Sequence, residues 1–362
     1  MLSNQILHKI ILDINRIIGV PCSVWSMERT CLAGTDEEGT EIESKLAASY
    51  EMLLAKGEKI SKRGAFFLVR DNQEPVYILA IHEPVENVEV MGRLCVCQFE
   101  NLLQAFKQRV DKNRFFQNLM LDNLLVVDIY QQAKKLGIEI EANRIVFVIE
   151  PKNEKDSLLL ETMKALYASE TNDIVLTVDE SHIIYVKHME RSENYKHVAQ
   201  IARAMVDTIN TEVMINVRVA YGTIVNNIKD VSKSYKEATM ALDVGKIFYE
   251  KQTVLAYSEL GIGRLIHQLP VSLCEMFLNE VFTKNTIDQL DEETLSTVNL
   301  FFENSLNISE TARKMYVHRN TLVYRLEKIL KNTGLDVRVF DDALTFKIAM
   351  MVNKHMNALN NE

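Results

Sequence analysis

The strongest constraint on the fold lies near the C-terminus. Between Asn307 and Ile329, apolar residues recur at helical spacing on both sides of a short break. Ile308, Ala312 and Met315 precede it, and Leu322, Leu326 and Ile329 follow. Residues three and four apart share one helix face, so the pattern predicts two short helices joined by a tight turn. Ala312 is small enough for the second helix to cross closely, Val317 plugs the turn, and Gly334 is placed to end the second helix. This is the layout of a helix-turn-helix, over about 305–334. Packing the stripes inward turns Arg319, Asn320, Tyr324 and Lys328 outward, with Thr321 and Arg325 at the margins. His318 falls at the cap position of the second helix, whose first amides form a ready phosphate site. His318, Arg319, Asn320, Thr321, Tyr324, Arg325 and Lys328 are therefore the candidates for touching DNA. A plain helical hairpin with solvated basic residues shares the spacing, and the turn lacks the glycine such motifs often carry.

Charge narrows the reading. The chain carries a net −9, which excludes a protein that coats nucleic acid along its whole surface. Residues 304–354 hold nine Lys/Arg against five Asp/Glu, a local balance of +4. A basic end on an acidic body fits a local DNA reader. No apolar run approaches the roughly 18 residues of a membrane span, and the first residues do not resemble a signal peptide. A cytoplasmic protein with no membrane partner is expected. The five cysteines are odd in number and lack a scaffold spacing, so they read as small apolar fillers. No cofactor or metal is expected.

The 362 residues suggest two or three domains. Residues 3–18 carry isoleucines at helical spacing. Strand-like runs follow at Cys22–Ser26, Thr30–Ala33, Ala65–Val69 and Val76–Ile81, with a helix over about 41–56. Helix, hairpin, helix, hairpin is the order of a PAS or GAF-like sensor domain over 1–100. Leu102, Leu103, Phe106, Val110, Phe115, Leu119 and Met120 mark a connecting helix within 101–130, either paired across a dimer or packed on its own domain. Residues 131–256 alternate as β-α-β-β-α-β with a further α-β, a ferredoxin-like core of the kind found in nucleotide cyclases. Residues 257–362 are helical. The fold class is α+β multidomain.

The run from Val317 to Leu326, with Thr333-Gly334-Leu335-Asp336 after it, resembles the C-terminal helix-turn-helix of the PucR/CdaR family, the purine-catabolism and carbohydrate-diacid regulators of bacteria. The likeness extends through Tyr257–Leu265 and Ala343–Met350. The family often has proline after the histidine, where this chain has Arg319. The middle segment is similar to the family's degenerate GGDEF-like domain, on Leu136-Gly137-Ile138, Tyr235-Lys236-Glu237-Ala238 and Ala241-Leu242.

A working diguanylate cyclase needs a Gly-Gly-acid-Glu-Phe hairpin, whose glycines admit the nucleotide phosphates and whose carboxylates hold Mg²⁺. Here the hairpin reads Val178-Asp179-Glu180-Ser181-His182, either a metal site at Asp179 and Glu180 or a polar turn. A scaffold without turnover is expected. A nucleotide-binding or cyclase-like signalling protein is the alternative.

The first segment is placed like the family's sugar-diacid recognition domain and resembles its last strand over Glu74–Ile81. The family's Arg-Ile-Gly and following His are absent. Arg63, Arg70, Tyr77 and His82 are the candidates for lining a pocket. The resemblance implies a ligand-responsive transcriptional regulator, with an operator in double-stranded DNA, a small-molecule effector of unknown identity and a homodimer as partners.

Overall fold

The structure is a computed structural model. It describes residues 4–35, 39–61, 64–83, 86–152, 157–168, 172–179, 181–282 and 291–361. The chain divides into two compact units, Met1–Arg114 and Phe115–Glu362.

The first unit contains α1 (Asn4–Ile18), β1 (Cys22–Ser26), β2 (Cys31–Gly34), α2 (Gly39–Lys56), β3 (Glu58–Ser61), β4 (Gly64–Asp71), β5 (Glu74–Ile81) and the start of α3 (Val88–Met120). The strands form one antiparallel sheet in the order β2-β1-β5-β4-β3. Its central strands are buried on both faces, because each face carries its own helical cover. Phe67, Val69, Tyr77, Leu79 and Ile81 meet α1 and the first turns of α3, through Leu7, Ile11, Phe99 and Leu103. Phe66, Leu68, Ile78 and Ala80 meet α2, through Ile42, Leu46 and Leu53. The period-2 alternation of β4 and β5 sorts these side chains. Their hairpin turns through Asn72 and Gln73, both at positive φ, as tight two-residue hairpins require. Strand β3 is absent from the sequence reading, since Glu58-Lys59-Ile60-Ser61 holds one apolar residue and sits at the sheet edge.

The second unit begins with the end of α3 and α4 (Val126–Lys135). It continues through β6 (Arg144–Pro151), α5 (Ser157–Tyr167), β7 (Ile174–Thr177), β8 (Ile183–His188), α6 (Tyr195–Glu212), β9 (Val217–Tyr221), α7 (Val231–Phe248) and β10 (Val254–Ala256). Its sheet runs β10-β9-β6-β8-β7, with β10 parallel to β9 and the other pairs antiparallel. This is the β-α-β-β-α-β core of the sequence reading, with one strand added at its edge. Helices α5 and α6 cover one face. The other is covered by α4, α7 and the last turns of α3, with Phe115, Phe116, Leu119 and Met120 buried. The stripe on α3 is thus divided: Leu103 belongs to the first core, Phe115 and Met120 to the second, while Leu102 and Val110 are exposed. Gly245 on α7 lets that helix lie close on β10, since a Cβ there would fall 2.2 Å from Leu255 Cδ1.

The remaining helices are α8 (Ile262–His267), α9 (Val271–Val281), α10 (Glu292–Glu303), α11 (Ile308–Lys314), α12 (Arg319–Thr333) and α13 (Phe340–Asn361). Helix α13 packs on α7, α8 and α9, and its Phe346 and Ala349 enter the core beneath α11 and α12. Among the described residues no helix is long and apolar enough to cross a membrane.

Candidate nucleic-acid interface

Helices α11 and α12 are built as their sequence dictates. The Asn307 side chain caps α11 by accepting from the Glu310 amide at 3.1 Å. Ala312 is buried, and Leu322, Leu326 and Ile329 are fully so, while Ile308, Met315 and Val317 pack against them. His318 Nδ1 accepts from the Asn320 amide at 3.2 Å, capping α12. Gly334 ends that helix at φ 77, its amide bonded to the Leu330 carbonyl at 2.8 Å. The turn finds its left-handed residue without glycine: Tyr316 takes φ 54 and is 96% exposed. Sequence reasoning missed this residue, because tyrosine carries no propensity for positive φ.

At roughly 100° per residue, Asn320 and Tyr324 lie opposite the buried stripe of α12. Arg319 and Thr321 flank them on the first turn. Arg319, Asn320 and Thr321 are exposed, as is Tyr324 at 70%. Arg313 and Lys314, at the end of α11, are exposed beside the turn.

Lys328 is exposed and Arg325 half-buried at the margin of the stripe, as expected, but both also pair with acidic residues of another element. The Arg325 guanidinium donates to Glu293 at 2.5 Å and to Thr297 Oγ1 at 3.3 Å, and its side chain is only 21% exposed. Lys328 donates to Asp291 Oδ2 at 2.8 Å. Pairing with Lys328 holds the Asp291 carboxyl well below the usual carboxylate range, helped by the bond from the Thr294 amide. The same pairing raises the Lys328 ammonium. These two cations brace α12 against α10. Their partners stand 32 and 37 residues upstream, beyond any local signal in the sequence. The acceptor surface left open is short, because Glu327 faces outward one turn beyond Tyr324.

Two family models match the chain. The PucR C-terminal helix-turn-helix domain matches residues 294–352, which takes in α10, α11, α12 and the first half of α13. The GGDEF-like domain matches residues 123–244. The carbohydrate diacid regulator of Escherichia coli is 23% identical over 316 residues, 81% of this chain and 80% of that protein. The DNA-binding transcriptional activator AdeR of Bacillus subtilis is 24% identical over 297 residues, 78% of this chain and 70% of its own length. The purine catabolism regulatory protein of Bacillus subtilis is 25% identical over 164 residues, 45% of this chain but only 31% of that protein. The chain belongs to the PucR/CdaR family. It is a DNA-binding transcriptional regulator, and α11 and α12 are the family's helix-turn-helix.

In the GGDEF-like domain the β7–β8 hairpin is charged and carries no glycine. Asp179 accepts from the Ser181 and His182 amides and from His182 Nδ1, the last at 2.7 Å. His182 Nε2 lies 3.3 Å from Glu150 Oε1, and Lys246 Nζ lies 2.5 Å from the same oxygen. Glu150 raises the His182 pKa most, joined by Asp179 against the opposing effect of burial. Burial alone would raise Glu150, but the bonds from His182 and Lys246 outweigh it and hold its carboxyl low. Burial raises the neighbouring Asp243. An ammonium and an imidazole occupy the carboxylate nearest the hairpin, and the phosphate-admitting glycines are missing. Among the described residues no group of three or more His, Cys, Asp or Glu side chains is placed to hold a metal ion. Glu180, named with Asp179 as a metal alternative, lies outside the described residues.

The four pocket candidates of the first unit are not brought together. Arg63 lies outside the described residues. Tyr77 is buried on the sheet face covered by α1 and α3, stacked on Phe99 at 5.7 Å, because its odd register turns it away from α2. Arg70 is exposed, its amide bonded to Glu100 Oε1 at 2.8 Å and its guanidinium beside Gly57. His82 alone lines a cavity, between α2 and the sheet, where Lys45, Lys59 and Ser61 join it. Sequence reasoning missed the two lysines, one on a helix and one on the unpredicted β3.

Proposed function

We propose that this protein is a cytoplasmic, ligand-responsive homodimeric regulator. Arg319, Asn320, Thr321 and Tyr324 touch the operator, His318 presents the first amides of α12 to a phosphate, and the first unit senses a small-molecule effector. The observation that carries the DNA contacts is the exposed first turn and a half of α12, outward from a fully buried stripe. A helix presented this way fits the major groove with its N-terminal residues on base edges. The homodimer follows from the two-fold symmetry of operator half-sites. The element order of the first unit supports a PAS or GAF-like sensor, and the charged, glycine-free hairpin supports a scaffold rather than a cyclase in the middle.

The test begins by selecting binding sites from random DNA with the full chain, then measuring affinity by fluorescence anisotropy. Arg319→Glu is expected to weaken binding at least about tenfold, the loss of one charge-assisted contact, with thermal stability unchanged. Wild-type affinity in that variant would show that α12 does not read the operator.

A further inference from the structure

The cavity between α2 and the sheet has a volume of about 430 Å³, within the roughly 300–1,000 Å³ of small-molecule sites. Its chemistry is divided. Ile42, Phe66 and Ala80 give it an apolar wall, continuous with the core beneath α2. Lys45, Lys59 and His82 give it a polar one. The Lys59 ammonium meets Met52 Sδ at 3.0 Å, and a thioether is a weak acceptor for a group with three donors. Among the described residues Lys59 has no carboxylate within ion-pair reach. Lys45 is bonded to Glu41 at 2.7 Å, one turn back on its own helix, and an exposed pair of that kind neutralises little. His82 is held in place from below: its Nε2 lies 2.7 Å from Ser23 Oγ, which accepts from the Trp25 indole N–H at 2.7 Å.

We propose that this cavity binds a small organic monoanion, with its carboxylate against Lys59 and Lys45 and its hydrocarbon end against Ile42, Phe66 and Ala80. The proposal deepens the sensor reading of the first unit and names its ligand class. One cationic end and one apolar end suit a single charge. A dianion would place its second carboxylate on Phe66 and Ala80, where desolvating it without a partner is heavily unfavourable.

Trp25 is the chain's only tryptophan and belongs to the same buried cluster as Ile42, Phe66 and Ala80, so its emission reports on the cavity. The full chain is titrated with hexanoate, with hexanamide of the same shape and no charge, and with adipate of the same length and two charges. Hexanoate is expected to give a saturable change, and the other two to bind at least about tenfold more weakly. Lys59→Met is expected to weaken hexanoate by a similar factor while leaving hexanamide and the melting temperature unchanged. Equal binding of hexanoate and hexanamide, tighter binding of adipate, or no saturable response to any of the three overturns the proposal. The same hexanoate series run on the selected DNA separates this assignment from the regulatory reading. Saturation of Trp25 with unchanged DNA affinity sinks effector control and leaves the cavity assignment standing. DNA affinity that responds to hexanoate without saturation of Trp25 sinks the cavity assignment instead.

Discussion

Tyr316 is the residue at which sequence and structure part most clearly. The turn between α11 and α12 requires a left-handed residue, and the chain supplies one with a Cβ and an aromatic ring. That conformation disfavours an L-residue by roughly 1–2 kcal/mol. Glycine would relieve the strain but would also loosen the unfolded chain, whereas asparagine tolerates the conformation and keeps its backbone stiff. Tyr316→Asn is therefore expected to stabilise the C-terminal helices by about 0.5–1 kcal/mol. The reading is a higher urea midpoint with an unchanged slope. A lower midpoint would mean that the exposed ring contributes packing that outweighs its strain. The residues legible in the sequence were those whose role is set by neighbours three or four positions away. These are the Leu322, Leu326 and Ile329 stripe, His318 as a cap and Gly334 as a stop. The partners of Arg325 and Lys328 were not legible, because Glu293 and Asp291 stand far upstream in the sequence. The Glu150, His182 and Lys246 cluster was invisible for the same reason.

Two elements owe their attachment to ionisable contacts, and pH is expected to act on them in opposite directions. Asp291 caps α10 through the Thr294 amide at 2.8 Å and pairs with Lys328 on α12. Its folded pKa is depressed, so its contribution is present above the ordinary aspartate value near about 3.9 and is lost as pH falls through the folded value. Asp291→Asn keeps a good cap and removes the charge. The melting temperature of the wild type is expected to exceed that of the variant at neutral pH, and the gap to close below about pH 4. A constant gap would assign the effect to packing. His182 ties the β7–β8 hairpin to β6 through Asp179 and Glu150. Its folded pKa is raised, so its contribution is complete below the ordinary histidine value near about 6.5 and is lost as pH rises through the folded value. The difference in urea midpoint between wild type and His182→Gln is expected to shrink from about pH 6 to pH 9. A difference that grows with pH would reverse the assignment. Helices α1, α6, α7 and α12 and the central strands of both sheets were legible from apolar pattern. Strand β3 was not, because an edge strand with one apolar residue owes its existence to pairing with β4 rather than to its own pattern.

The whole molecule is an acidic body carrying a basic end, and this division sets how it engages DNA. A net −9 repels the phosphate backbone, so long-range attraction is weak and binding depends on the contacts α11 and α12 make directly. Each phosphate neutralised releases condensed counterion and contributes about −0.9 to the slope of log K against log salt. The cations open to a duplex near the turn are Arg319 and Lys314, with Arg313 partly satisfied by Glu310 at 2.7 Å. Arg325 and Lys328 also pair with Glu293 and Asp291, so their share in phosphate contacts is smaller. Two to three phosphate contacts per helix-turn-helix give an expected slope of about −2 to −3 for one copy and about −4 to −5 for a two-fold pair. Anisotropy titrations on the selected site between about 50 and 200 mM salt read this directly. A slope near the larger value supports two copies on one operator, and a slope near the smaller supports one. Arg319→Glu is expected to reduce the slope by about 0.9 per copy if Arg319 sits on a phosphate. If it reads a base edge, the slope should hold while preference at one position changes by roughly 1–3 kcal/mol. A slope steeper than about −8 would mean that surfaces beyond the helix-turn-helix touch DNA, which the acidic balance of the rest of the chain disfavours.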